Sequence, residues 1–175
     1  MAPKINNSHM MPRVRNLILN NQAMTLATAE KNKAWAAPVF YVNKELSFYF
    51  FSNPNSRHIK EALESGQAAC TIYEKDTSWQ NLIGLQMSGK ILMVPGGVEA
   101  SKAILAYVKK FPLVKTFFSR IKNLNLNDFS SKFHAKLYCF IPDFIFFMDN
   151  SVNFGFRTEI TPEIKTEIKK DTLFK

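Results

Sequence analysis

The side chains with the clearest capacity for chemistry lie in one stretch, Phe51-Ser52-Asn53-Pro54-Asn55-Ser56-Arg57-His58. It carries two hydroxyls, two carboxamides, a guanidinium and an imidazole. If a strand ends at Ser52 and Ser56 caps a helix starting at Arg57, free N–H groups and the positive end of the helix dipole meet these side chains. That arrangement suits a phosphate. Arg57 can fork two of its oxygens, and His58 or Lys60 can add charge. Taken alone, the same stretch also reads as a capped helix with a solvated Arg. Other chemistries lack their residues: there is no Gly-rich phosphate loop, no Cys and His at zinc spacing and no nucleophile elbow. His occurs only at positions 9, 58 and 134, and His134 beside Phe133 reads as a structural residue of a strand. No catalytic side chain and no metal ligand is assigned, so any reaction falls to a bound cofactor.

The elements that must position this stretch follow from periodicity and turn residues. Helical spacing of Val14, Leu17 and Ile18 predicts a helix over 13–22. Strands are expected at 23–29, 34–42 and 45–52, joined by polar turns at 30–33 and 43–44 into an antiparallel meander. A helix over 57–64 stops at Ser65-Gly66, and a strand at 67–73 follows. The long run 82–94 reads as a strand in which Gly84 and Gly89 mark bulges or a sharp bend. Helical spacing covers 98–110, and a second stretch covers 113–122 beyond Phe111-Pro112. Two strands at 133–141 and 144–148 are expected on either side of Pro142-Asp143. Strands with helices segregated between them make an α+β barrel-like domain of about seven strands. The domain is expected at 11–158, after a vector-like leader at 1–10 and before a charged tail at 159–175, read as a short helix or disorder.

Composition narrows the function classes. Sixteen Phe crowd into strand-like runs, which favours a β-rich core. The net charge is +9, and much of the excess lies at Lys102, Lys109, Lys110, Lys115, Arg120 and Lys122, with no interleaved acid. This patch has the charge for nucleic acid but no recognition motif, and a solvated helix face accounts for it. Nucleic acid is therefore the less favoured partner. Cys70 and Cys139 sit in apolar runs and read as buried thiols, which suits a reducing cytoplasm. No apolar run approaches the ~18 residues of a membrane span.

The series Met24-Thr25-Leu26-Ala27-Thr28, Ala36-Ala37-Pro38-Val39-Phe40-Tyr41, Phe48-Tyr49-Phe50-Phe51-Ser52, Ser56-Arg57-His58 and Gly84-Leu85-Gln86-Met87-Ser88-Gly89 resembles the pyridoxamine 5′-phosphate oxidase-like family. The resemblance spans roughly residues 13–157 and points to an uncharacterised subgroup. It implies an antiparallel split β-barrel that binds FMN between the subunits of a homodimer. Ser56 and Arg57 match the family's Ser-Arg-Lys phosphate element, with His58 in place of the Lys. Phe51 and Ser52 match positions near the phosphate and ribityl chain, and Ala37, Pro38 and Val39 the strand whose backbone faces the flavin ring. Gln86, Trp79 and residues 153–157 are candidates to reach across the interface. The namesake oxidase's Arg- and His-containing substrate segment has no counterpart in residues 158–175. The resemblance thus implies an FMN-dependent oxidoreductase of unknown substrate, exchanging a hydride or electrons with a ligand stacked on the open flavin face. The rival readings are a non-catalytic flavin or haem carrier on the same barrel and a basic nucleic-acid-binding barrel.

Overall fold

The computed structural model describes residues 6–75, 78–113, 130, 131 and 133–171. The elements in chain order are α1 (Asn7–Asn20), β1 (Ala23–Glu30), β2 (Lys33–Phe40), β3 (Val42–Lys44), β4 (Ser47–Ser52), α2 (Arg57–Ser65), β5 (Ala68–Tyr73), β6 (Ile83–Met93), α3 (Val98–Lys110), β7 (Lys136–Asp149), β8 (Arg157–Glu159) and α4 (Pro162–Asp171). A 3-10 turn at Trp79–Asn81 precedes β6.

The strands form one antiparallel sheet in the order β2-β1-β5-β6-β7-β4-β3, with β8 added alongside β7. β2 and β3 end this path at opposite sides, yet only Tyr41 separates them in sequence. The sheet must therefore curl until its two ends meet. The result is an antiparallel split barrel, as the sequence implies. The meander expected from residues 23–52 does not form, because the chain leaves the second predicted strand at Tyr41 and Val42 starts β3 at the opposite end of the sheet. The tight turn follows β3, at Glu45 with φ 54°, two residues later than the polar pair Asn43-Lys44 indicates. At the β1–β2 hairpin Lys31 and Asn32 both take positive φ (48° and 62°), the conformation that the strand twist demands of a two-residue loop.

Inside the curl, Met24, Leu26, Phe48, Phe50, Leu85 and Phe147 pack against Val14 and Ile18 of α1 and Ile59 of α2. A second cluster forms on the outside, where Ala103, Ile104 and Tyr107 of α3 cover Val42, Tyr49 and Leu137. Strands β4 and β7 are thus covered on both faces over part of their length. This explains the uninterrupted Phe48-Tyr49-Phe50 burial, where a strand with one wet face would alternate.

β7 runs unbroken over Lys136–Asp149, where two strands, at 133–141 and 144–148, are expected. Ser88 pairs with Phe144 and Gly89 with Pro142, leaving Asp143 as the extra residue of a bulge. A Cβ at Gly89 would collide with the Ile141 carbonyl, so the crossing needs glycine. Gly84 sits in regular pairing and makes no bulge. His134 precedes β7 in a turn with φ 48° and is not a strand residue.

Both chain-end expectations need correction as fold boundaries. Helix α1 starts at Asn7, where the Asn6 side chain accepts from the Ser8 N–H at 3.1 Å, and Met10 is buried in the core. At the other end, Ile160 and Ile164 pack into that same core, with the Ile160 N–H donating to the Ile145 carbonyl at 2.9 Å. Residues 159–164 therefore belong to the domain. The helical stretch expected at 113–122 lies, apart from Leu113, outside the described residues, as do Lys115, Arg120 and Lys122. No helix among the described residues is long and apolar enough to cross a membrane.

Candidate functional site

The corner between β4 and α2 is built by its own turn. The Ser56 N–H donates to the Asn53 carbonyl at 3.0 Å and the Asn55 N–H to Asn53 Oδ1 at 2.8 Å. Ser56 takes the cap position of α2, but its hydroxyl makes no cap bond and donates to the Asn53 carbonyl at 2.7 Å. The first-turn N–H groups of Arg57 and His58 have no partner among the described residues. Gly66 ends the helix in the left-handed conformation, φ 70°.

Ser52 stands at the centre of this corner. Its Oγ lies 2.9 Å from His58 Nε2 and 3.1 Å from Ser56 Oγ; with the Ser56 proton on the Asn53 carbonyl, Ser56 accepts in its pair with Ser52. Burial lowers the His58 pKa, against the raising influence of Glu61, so the ring favours its neutral form at neutral pH. His58 therefore contributes a hydrogen-bonding nitrogen, where sequence alone indicated added charge.

Arg57 is less free than its position suggests. Its Nε donates to Glu61 Oε1 at 2.5 Å, Nη2 donates to the Lys33 carbonyl at 3.1 Å, and the guanidinium lies 4.8 Å over the Trp35 ring. Glu61 is buried at 3% exposure and accepts a second bond, from Thr28 Oγ1 at 2.5 Å. The Thr28 hydroxyl and then Arg57 hold its carboxyl below the usual range. Nη1 is the edge of Arg57 left for another anion. Sequence reading missed Glu61, although its place one turn after Arg57 was a usable signal.

The remaining sequence-selected residues divide between two regions. Ala37 and Val39 face the core, so β2 offers Pro38 and its backbone on the outside. Gln86 is exposed on β6, opposite Thr71 and Phe146. Three strand spacings, roughly 14 Å, separate β2 from β6, so one copy of the chain does not bring Gln86 to β2. Trp79 and Phe154 do meet: their rings are 5.8 Å apart, 65% and 75% exposed, and Asn150 Nδ2 donates to the Trp79 carbonyl at 2.7 Å. Phe144, Phe146 and Tyr73 are exposed as well.

Beside the corner lies a cavity of about 540 Å³, bounded by Phe40, Phe51, Ser52, Tyr107, Lys110 and Phe111. Sequence reading assigned Lys110 to a solvated basic face. The structure turns it inward, with Nζ 4.1 Å over the Tyr41 ring, while Lys102 and Lys109 remain exposed. The signal was present: Lys110 follows Ala103 and Tyr107 at helical spacing along the buried side of α3. A cleft of about 470 Å³ adjoins, sharing Asn53 and Ala135 with the cavity and bordered by His134.

Comparison with known proteins agrees with this architecture. Residues 10–122 match the family model described as pyridoxamine 5′-phosphate oxidase. The chain is 28% identical over 118 residues to the UPF0306 protein plu4501 of Photorhabdus laumondii, covering 66% of this chain and 81% of that one. Among solved structures, a heme-binding protein from Mycobacterium smegmatis superposes with a TM-score of 0.66 at 14% identity, over 94% of this chain and 61% of its own. A FAD-binding protein from Mesorhizobium loti superposes with a TM-score of 0.53 at 13% identity, over 77% and 90%. The curled sheet, the β4–α2 corner and a family match across most of the chain lead to one assignment: the chain belongs to the pyridoxamine 5′-phosphate oxidase family.

Proposed function

We propose that the protein binds FMN, with the phosphate at the β4–α2 corner, and acts as an FMN-dependent oxidoreductase. One observation carries this reading: the hydroxyls of Ser52 and Ser56, the His58 ring and two unspent N–H groups converge at a helix start. Their chemistry fits a phosphate, with hydroxyl, imidazole and backbone donors at the positive end of the helix. Arg57 fits in part, because Glu61 holds one edge of its fork while Nη1 remains. FMN would supply the exchange of a hydride or an electron pair with a substrate. The chain's own part is to anchor and orient. The edge of β2 at Ala37, Pro38 and Val39 supplies backbone groups for the ring, and Phe51 supplies a wall.

A second copy completes this site. Gln86 lies too far from β2 within one chain, and Phe146 opposite it, with Phe144, Trp79 and Phe154, gives exposed apolar surface suited to burial in a homodimer. Light scattering of the flavin-loaded protein is expected to give twice the chain mass. A monomer with flavin bound contradicts the shared site.

Haem carriage is the second reading. It is favoured by His134 at the border of the 470 Å³ cleft and by the likeness to the Mycobacterium smegmatis protein. An absorbance spectrum of the purified protein, recorded alone and after adding FMN or haemin, separates the two. Flavin bands that perturb on binding support the first reading. A Soret band lost in His134→Ala, with no response to FMN, replaces it with the second.

A further inference from the structure

The cavity beside the corner holds a charge that the phosphate anchor does not use. Three ring contacts shape its wall: Phe40–Phe111 at 5.3 Å and Phe51–Tyr107 at 5.1 Å, both edge-on, and the tilted pair Tyr107–Phe111 at 4.7 Å. Lys110 enters among these rings and rests on Tyr41, and no carboxylate of the described residues is within ion-pair distance of it. The faces of aromatic rings attract an ammonium but do not neutralise it. A half-buried cation in an apolar enclosure lowers its free energy by pairing with an anion that brings apolar surface of its own. A phosphate dianion is a poor match, because one ammonium and the few polar groups at the edge leave most of its oxygens unmet. About 540 Å³ is the size of an ordinary small-molecule pocket.

We propose that this cavity binds an organic monoanion with a planar aromatic body, its carboxylate paired with Lys110 and its rings against Phe40, Phe51 and Phe111. The proposal deepens the flavoprotein reading and rests on it for the ligand's role as substrate. Ser52 lines the cavity and also belongs to the phosphate corner, so a ligand held here lies beside the flavin site.

Calorimetric titration of the purified protein with naphthoate and with neutral naphthalenemethanol tests this. Naphthoate is expected to bind at least tenfold more tightly than the alcohol. Lys110→Met removes that advantage and leaves alcohol binding in place, which shows the cavity intact. Lys110→Arg keeps naphthoate binding within about threefold, and FMN affinity is unchanged in both variants. Absent naphthoate binding, or equal naphthoate binding in wild type and Lys110→Met, overturns the proposal. Competition between FMN and naphthoate, with both weakened in Lys110→Met, also overturns it by giving the cavity to the flavin. Lys110-dependent naphthoate binding in a protein that does not take FMN leaves the anion site standing and removes the flavoprotein reading alone.

Discussion

The N-terminus of α2 and the C-terminus of α3 flank Ser52, and they treat their cations in opposite ways. At α2, Arg57 is paired with Glu61, stacked on Trp35 and bonded to the Lys33 carbonyl, and the hydroxyls around it bond to one another. At α3, Lys110 meets aromatic rings and no carboxylate among the described residues. The first corner is built to hold its shape. The second leaves a charge uncompensated, and burial lowers the Lys110 pKa to about 8 from an ordinary 10.5. A polar anchor with bonded side chains next to an apolar enclosure is what a protein needs if one molecule is held permanently and another exchanges.

The sharpest way to break the comparison is Ser56→Asp. Asp is as good a helix cap as Ser, so thermal stability is expected to hold or rise. A carboxylate facing the phosphate is expected to reduce FMN affinity roughly 100-fold, about 2.7 kcal/mol. Equal FMN binding in a fluorescence titration would place the phosphate elsewhere.

Arg57→Ala comes next. Loss of the remaining Nη1 contact lowers FMN affinity by roughly tenfold or more, given about 1.5–3 kcal/mol for a charged hydrogen bond. Unlike a solvated first-turn Arg, Arg57 neutralises a buried carboxylate, so this variant also loses stability. The sign follows from Glu61: its folded pKa is depressed, so its contribution is present at neutral pH and is lost as pH falls through the folded value. Without Arg57 the folded pKa of Glu61 lies closer to its unfolded value, so the loss is smaller and is complete at higher pH. Melting temperatures of both proteins across the acid range measure the displacement.

Lys110→Met gives the smallest and opposite effect. Because the folded pKa of Lys110 is depressed, the folded chain binds fewer protons than the unfolded chain between about pH 8 and 10.5. Its contribution therefore destabilises fully below pH 8 and fades as pH rises through that window. The Met variant is expected to be more stable at pH 7 by about 1 kcal/mol, reduced by solvent screening of a side chain that keeps contact with water. It also loses the alkaline rise. Denaturant unfolding at pH 7 and pH 10 checks both.

Much of the architecture was legible because local signals carried it. Gly66 in the left-handed conformation, the turn at Lys31-Asn32 and the buried stripe of α3 are short-range features, and each falls where the residues indicate. What the residues concealed is long-range. An apparent strand breaks at Tyr41 because β2 pairs with β1 and Val42 with β4, at opposite ends of the sheet. Pro142-Asp143 looks like a turn, but across the ladder it faces Gly89 and becomes a bulge. The candidate site divides in the same way. Ser52, Ser56 and His58 are neighbours in sequence and could be read together. Lys110 reaches the same place from more than fifty residues further along the chain, and Glu61 shows its second bond only once Thr28 is beside it.

The central claim is a phosphate-specific anchor at the β4–α2 corner, and a paired titration with FMN and riboflavin tests it most directly. The two ligands share ring and ribityl chain and differ in the phosphate alone. FMN is expected to bind at least tenfold more tightly, since each charge-assisted hydrogen bond contributes about 1.5–3 kcal/mol. Equal affinity for the two ligands would contradict the assignment of Ser52, Ser56 and Arg57.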